Sequence, residues 1–239
     1  MSDQDAATPR VFLVRHGETE WSKTGQYTGI TDLPLTPDGV KQVTTTAVRL
    51  VGGGKLIDPA RIAHIWVSPR TRAQQTFQYL FNSEPPSSDK TDFDAVADRV
   101  TTTEDIAEWD YGEYEGLKTG EIKEKRKQQG LDQDKPWNIW KDGCEGGESM
   151  EKVTERLDKL ITQIKNLQRP FISGQKPCDV LIVAHGLILR AFAKRWMQYA
   201  LDFPLPMIMA PGAISVLSYK NGNIDEPGFY LGMSLPFEE

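Results

Sequence analysis

The sequence predicts an α/β protein, a three-layer α/β/α sandwich with a mostly parallel central sheet and a helical and loop insertion over the site. Three observations lead there. Short apolar runs recur along the chain, separated by segments of helical length and period. Two of them, VFLV at Val11–Val14 and DVLIVA at Asp179–Ala184, are nearly uninterrupted, as strands buried on both faces are. Both end in a histidine followed by a glycine, His16-Gly17 and His185-Gly186, in a chain with three histidines in all. In open α/β sheets ligands collect at the carboxyl ends of strands, so this coincidence marks a candidate site.

The elements follow in order. Residues 1–9, polar and acidic, read as a flexible tail, and 10–239 as a single domain. After Val11–Val14, Thr36 and Pro37 form a helix start, with Thr as N-cap and Pro at the first helical position. Val40, Val43, Ala47 and Leu50 give that helix an apolar stripe, and Gly52-Gly53-Gly54 ends it. Ile62–Val67 is the next strand, and Ser68-Pro69 leads into a helix through Ala73, Phe77 and Leu80. Asn82–Lys90, with Pro85-Pro86 and Ser87-Ser88, reads as a surface loop. Val100–Thr103 is a weaker strand. From about 109 to 147 charges and aromatics accumulate, and this is the insertion: GEIKEKRKQQG as a solvated helix, PWNIWKDGCEGGE as an irregular stretch. Met150, Val153, Leu157, Leu160, Ile161, Ile164 and Leu167 then share one face of a long helix. After Asp179–Ala184 comes a helix from Leu187 to about Tyr199. Ala213–Tyr219 is the final core strand, with Asn221-Gly222 as its turn signal.

Composition narrows the function. A net charge of −6 and a pI near 5.3 argue against a nucleic-acid binder, which carries a basic face. An anionic small substrate stays open, because a local cluster of Arg and His overrides the global sign. Cys144 and Cys178 stand far apart with no metal-type spacing, which reads as two reduced thiols, no zinc site and no other metal. Neither a secretory signal pattern nor an apolar run of membrane-span length occurs, so no membrane association is expected, and cytoplasm or nucleus is the default compartment. A homo-oligomer is left open.

The chemistry gathers around the strand-end histidines. A lone histidine after a strand is more often a satisfied packing residue. Here Arg15 stands beside His16, Gly17 permits a close backbone approach, and His185-Gly186 repeats the pattern. Arginine offers planar paired hydrogen bonds to phosphate oxygens and stays charged. A neutral imidazole can attack phosphorus when its other ring nitrogen is tied to an acceptor, and a second, cationic one can bond the phosphoryl oxygens. A carboxylic acid must protonate the leaving alkoxide. Glu108, against the apolar wall of Trp109, is the candidate, although alone it reads as a surface carboxylate.

Five segments, RHGETEW, YTGITDLPLT, SPRTRAQQT, EWDYGEYEG and VAHG, resemble in identity and order the histidine phosphatase superfamily, also called phosphoglycerate mutase-like. The resemblance spans about residues 10 to 219. It implies that His16 is the nucleophile that becomes a phosphohistidine, that Arg15, Arg72 and His185 hold the phosphoryl group, and that Glu108 donates the proton and later activates water. It implies no cofactor and no metal. Arg70, which would not share a helical face with Arg72, reads as solvated or substrate-tuning. Within the family, WSKTGQYTGITDLPLTPDG, AEWDYGEYEG, PWNIWKDGCEGGE and Asn223–Pro227 are similar to fungal sedoheptulose-1,7-bisphosphatases. That likeness implies a sugar-phosphate substrate losing its 1-phosphate, contacted by Tyr27, Thr28, Tyr111, Gly212 and Ala213. Those enzymes carry a longer insertion before the final strand, where this chain has Met197–Pro211.

Three rivals stay open. A broad-specificity phosphomonoesterase shares every residue named. A phosphoglycerate mutase calls for a basic residue shortly after the acid, where this chain has Trp109-Asp110. A non-catalytic phosphate-binding module would have lost one of Arg15, His16, Arg72, Glu108 or His185. The third histidine, His64, reads as a packing residue, and Trp137 and Trp140 as core residues that also form part of a lid.

Overall fold

The computed structural model describes residues 8–82 and 93–232. Strand β1 (Val11–Arg15) leads to a short helix, α1 (Glu20–Thr24), which the sequence reading missed. Thr19 and Ser22 cap it reciprocally, and Gly25 closes it at φ 81°. Helix α2 (Pro37–Leu50) starts where expected, the Thr36 hydroxyl accepting the Gly39 N–H at 3.0 Å. Strand β2 (Ile62–Val67) and helix α3 (Thr71–Phe81) follow, α3 anchored by Asp32, which accepts the Thr71 N–H at 2.7 Å. The expected loop at 82–90 lies, from residue 83, outside the described residues.

Strand β3 (Val100–Thr102) precedes the insertion. That segment carries the expected solvated helix, α4 (Thr119–Gln128), and also α5 (Ile139–Asp142), inside the stretch read as irregular. The Asn138 side chain caps α5 by accepting the Trp140 N–H at 3.1 Å. The long helix α6 (Met150–Gln168), strand β4 (Asp179–Ala184) and helix α7 (Gly186–Trp196) match their sequence patterns. Strand β5 (Ile214–Tyr219) is not the last: β6 (Pro227–Phe229) pairs against it. Three residues with a proline and a glycine give no period-two signal, which is why β6 was not legible.

The strand order is β3-β2-β4-β1-β5-β6. The first four are parallel, whereas β5 runs antiparallel to β1 and β6 antiparallel to β5. Side chains alternate between faces. Val11 and Leu13 join Val180, Ile182 and Ala184 in a core with α6, α7 and the insertion. Phe12 and Val14 join Leu181 and Val183 in a second core with α2 and α3. Both faces are covered, and this makes β1 and β4 continuous apolar runs rather than alternating ones. Of the expected tail, residues 1–7 lie outside the described residues, and Thr8 and Pro9 are held against the fold. Thr8 is buried, and the Pro9 carbonyl accepts the Ser218 hydroxyl at 3.0 Å.

Candidate active site

The register of β1 on β4 sets the site. Arg15 pairs with Ala184, so the residues that follow, His16 and His185, emerge side by side. Their ring centroids lie 5.1 Å apart, edge to face. His16 is buried, and its Nδ1 lies 2.7 Å from the Gly17 carbonyl, which can only accept. Nδ1 therefore carries the proton, and Nε2 keeps a free lone pair. Burial, then the charge of Arg72, pulls the His16 pKa down to about 3, with Arg15 adding to this and the Gly17 carbonyl opposing it. The ring is thus neutral at neutral pH. Gly17 is needed for the chain path: a Cβ there would come 2.5 Å from the Gly39 carbonyl oxygen of α2.

His185 is fully buried and bonded at both nitrogens. Arg72 Nε donates to Nδ1 at 3.0 Å, and Nε2 lies 2.6 Å from the Ser68 hydroxyl. An arginine N–H cannot accept, so Nδ1 is bare and the proton sits on Nε2. The second histidine in this structure is neutral, not the cation expected from sequence. Burial, with Arg72 next, lowers its pKa well below the ordinary value.

The two arginines differ. Arg72 is fully buried, and besides His185 it donates to the carbonyls of Thr31, Thr28 and Gly29 at 2.9–3.1 Å. It ties down the 28–31 loop, whose Gly29 and Thr31 N–H groups in turn reach the Glu115 carboxylate at 2.9–3.0 Å. Two segments far apart in sequence, YTGIT and EYEG, meet in this way. Arg15 donates from Nη1 to the Met209 carbonyl at 2.6 Å, while its Nε is buried with no acceptor. Its guanidinium lies flat on Gly186, where a Cβ would come 3.0 Å from Cζ and Nε. A buried N–H without a partner is costly, and beside this pocket an anionic oxygen would satisfy it.

Glu108 reaches the same place from the insertion side. Its Oε1 accepts the N–H groups of Trp109 and Ile188 at 2.9 and 3.0 Å, and its Oε2 accepts that of Leu187 at 3.1 Å. The carboxylate therefore sits on the N-terminus of α7, where helix dipole and free N–H groups favour an anion. The Trp109 indole is itself fixed: Nε1 donates to the Glu148 carbonyl at 3.0 Å, and the ring stands edge to face with Trp140.

A cavity of about 290 Å³ opens over these groups, lined by Arg15, His16, Tyr27, Thr28, Glu108 and Tyr111, as expected. Tyr27 and Tyr111 meet edge to face at 4.8 Å. Burial, and then the Glu108 charge, raises the Tyr111 pKa well above its ordinary value, so the phenol stays a donor. Arg72 and His185 lie behind the lining rather than in it. Gly212 and Ala213, expected as substrate contacts, also do not line it. Their backbone clamps the end of β1, the Gly212 N–H donating to the His16 carbonyl and the Ala213 carbonyl accepting the Arg15 N–H, both at 3.0 Å. They sit there because β5 is antiparallel, and its start lies beside the end of β1.

The cavity has a cation that sequence reasoning missed, Arg190, together with Thr19, Ser22, Gln26 and Thr119. Arg190 Nε donates to the Gly186 carbonyl at 2.9 Å, one helical turn back. That four-residue spacing from the His-Gly pair was the available signal. Arg70 leaves the site to face Glu104 at 3.4 Å. His64 is half-buried against the Trp66 ring at 4.3 Å and bonds Thr101, a packing role on the sheet. Trp137 packs behind Tyr27 and Tyr114 as a wall support rather than a lid, its Nε1 bonding the Gly143 carbonyl at 3.0 Å. Cys144 and Cys178 are free and buried.

Strand-end imidazoles backed by guanidiniums, on a parallel sheet covered on both faces, define a phosphoryl-handling α/β enzyme. Residues 11–226 match the histidine phosphatase superfamily (branch 1), and the chain belongs to that family. It is 40% identical to the sedoheptulose 1,7-bisphosphatase of Saccharomyces cerevisiae, over 97% of this chain and 96% of the yeast protein. It is 33% identical to an acid phosphatase of Mycobacterium tuberculosis, over 89% of this chain and 88% of that one. A solved structure of an open reading frame product from Mycobacterium tuberculosis superimposes with a TM-score of 0.68 at 28% identity, covering 93% and 96% of the two chains. No helix among the described residues is long and apolar enough to cross a membrane.

Proposed function

We propose that this chain is a sugar-phosphate phosphatase that works through a phosphohistidine and removes the 1-phosphate of sedoheptulose 1,7-bisphosphate. The observation that carries the reading is the cavity itself: a neutral His16 with a free Nε2, a carboxylate, and two cations, Arg15 and Arg190, in one small polar space. Arg15 faces the phosphoryl group that reacts, with Arg72 behind it. Arg190 is a further cation in the cavity and favours a substrate with another anionic group, which the yeast relative's bisphosphate supplies.

The steps follow from the geometry. Nε2 of His16 attacks phosphorus in line with the ester oxygen, and that P–O bond breaks as the P–N bond forms. Glu108, a carboxylate in the free protein, takes up a proton as the anionic substrate settles beside it and gives that proton to the departing alkoxide. Arg15 takes a phosphoryl oxygen with the Nε–H that otherwise has no partner, and the fixed charge of Arg72 lies behind the reacting centre. Water then attacks phosphorus, losing a proton to Glu108, and the P–N bond breaks to release phosphate and restore His16. Every acidic and basic role is filled from the chain's own residues. Cytoplasm or nucleus suits the two free cysteines.

A phosphate-release panel tests the reading, with sedoheptulose 1,7-bisphosphate, fructose 1,6-bisphosphate, sedoheptulose 7-phosphate and a phosphoglycerate as substrates. Marked preference for the first supports it. A flat profile favours a broad phosphomonoesterase, and isomerised phosphoglycerate without phosphate release favours a mutase. Phosphate release that survives His16→Ala would overturn the phosphohistidine route.

A further inference from the structure

We infer that Ser68 is a positioning residue for the second histidine, its hydroxyl holding the Nε2 proton of His185 so that Nδ1 is the nitrogen that exchanges Arg72 for a proton when a phosphoryl group binds. The inference rests on the phosphatase reading above.

Ser68 directly follows the last residue of β2, and β2 lies beside β4, which delivers His185. Both residues are fully buried, and the hydroxyl oxygen lies 2.6 Å from Nε2. Ser68 is itself fixed: its N–H donates to the Val183 carbonyl at 3.0 Å, and its carbonyl accepts the Gln74 side chain at 2.7 Å. On the other side of the ring stands Arg72 Nε at 3.0 Å. Arg72 can only donate, so Ser68 must accept. Without the hydroxyl the Nε2–H would be buried and unpaired, and the tautomer with the proton on Nδ1 would set that proton against the Arg72 N–H.

The charges acting on His185 are cationic and its ring neighbour is neutral: Arg72 in α3, Arg70 at the N-cap of α3 and turned toward Glu104, Arg15 at the end of β1, and His16 just after it. Glu108, bonded to the first turn of α7, supplies the carboxylate at this end of the helix. A dianionic phosphoryl group among these residues cancels most of the local positive charge. His185 can then take a proton from solvent at Nδ1. That proton displaces the Arg72 Nε–H, and both N–H groups are freed for phosphoryl oxygens. The exchange works only while the Nε2 proton keeps its acceptor, because a hydrogen bond to the charged form favours it. Ser68 is that acceptor in both states.

The test has two arms. In the wild-type protein at neutral pH, nitrogen NMR of the imidazoles is expected to find His185 protonated at Nε2 and bare at Nδ1. The opposite tautomer overturns the inference, and this measurement needs neither turnover nor a variant. In the second arm, Ser68→Ala is expected to weaken inhibition by inorganic phosphate about tenfold and to move the basic limb of the kcat profile, which reports the bound state, about one unit lower, with Ser68→Thr restoring both. An unchanged limb and unchanged inhibition, with only a loss of thermal stability, reduces Ser68 to a structural role and overturns it. Failure of the phosphatase reading shows separately, as phosphate release that survives His16→Ala.

Discussion

The ends of β1 and β4 look interchangeable in sequence, since each is an apolar run closing on His-Gly, and they differ in what the protein does with the two ring nitrogens. At the end of β1, His16 has one nitrogen tied to the Gly17 carbonyl and the other open to the cavity. At the end of β4, His185 has both nitrogens engaged, by Arg72 and Ser68. The same local motif thus yields one imidazole free to attack and one held in the wall. The partners decide the role, and they come from elsewhere in the chain.

The two histidines separate most sharply in His16→Ala. Phosphate release is expected to fall on the order of 10⁴-fold or more, while circular dichroism and thermal unfolding stay close to wild type. A rapid-quench trap sharpens it further: covalent phosphate should be found on His16 and not on His185. Glu108→Gln comes next, with a loss of about 10²- to 10⁴-fold in kcat. Activated aryl phosphates should lose less, because their leaving groups need no proton, and an equal loss for both kinds of ester would count against the acid role.

Gly186→Ala is expected to cost about 10²-fold in kcat/KM. Its new methyl group would press on the flexible end of Arg15 rather than on backbone, so the fold should survive and the guanidinium should shift. A fully active Gly186→Ala variant would show that Arg15 is not held by this contact. The smallest effect is on stability. His16 titrates near 3 in the folded chain, against an ordinary value of 6.5, so between those values the unfolded chain binds the extra proton. The stabilisation is fully present above 6.5 and is lost as the pH falls toward 3. The slope is about 1.4 kcal/mol per pH unit for each such proton, and His185 is shifted in the same direction. Urea midpoints measured from pH 7.5 to pH 5 should fall accordingly, and the slope should flatten in His16→Gln.

The fold was largely legible because covering both faces of the sheet forces its central strands to be continuously apolar, and because Thr36-Pro37 starts α2 with specific backbone chemistry; its end is capped by Val51, one residue before the triple glycine that was expected to stop it. The same logic failed at β6, too short for a period, and at α5, whose helix depends on a single asparagine cap. At the site, Arg15, His16 and Glu108, and Tyr27, Thr28 and Tyr111 that the resemblance had suggested, line one cavity. Arg190 escaped because its signal is a spacing on a helix that reads as apolar. Gly212 and Ala213 lie outside that lining because β5 runs antiparallel to β1, a direction invisible in its own residues. The clamp they form required knowing which end of that strand meets β1.

That antiparallel strand has a consequence for how the nucleophile is held. A parallel β5 would present its trailing end to the reactive edge and hide the connection before it on the far side. Running the other way, β5 brings its lead-in segment to the reactive edge, and the Met209 carbonyl there already holds the arginine of the nucleophile's own strand. Residues 209–213 thereby grip the nucleophile's strand at three points: the Met209 carbonyl on the Arg15 guanidinium, the Ala213 carbonyl on the Arg15 N–H, and the Gly212 N–H on the His16 carbonyl.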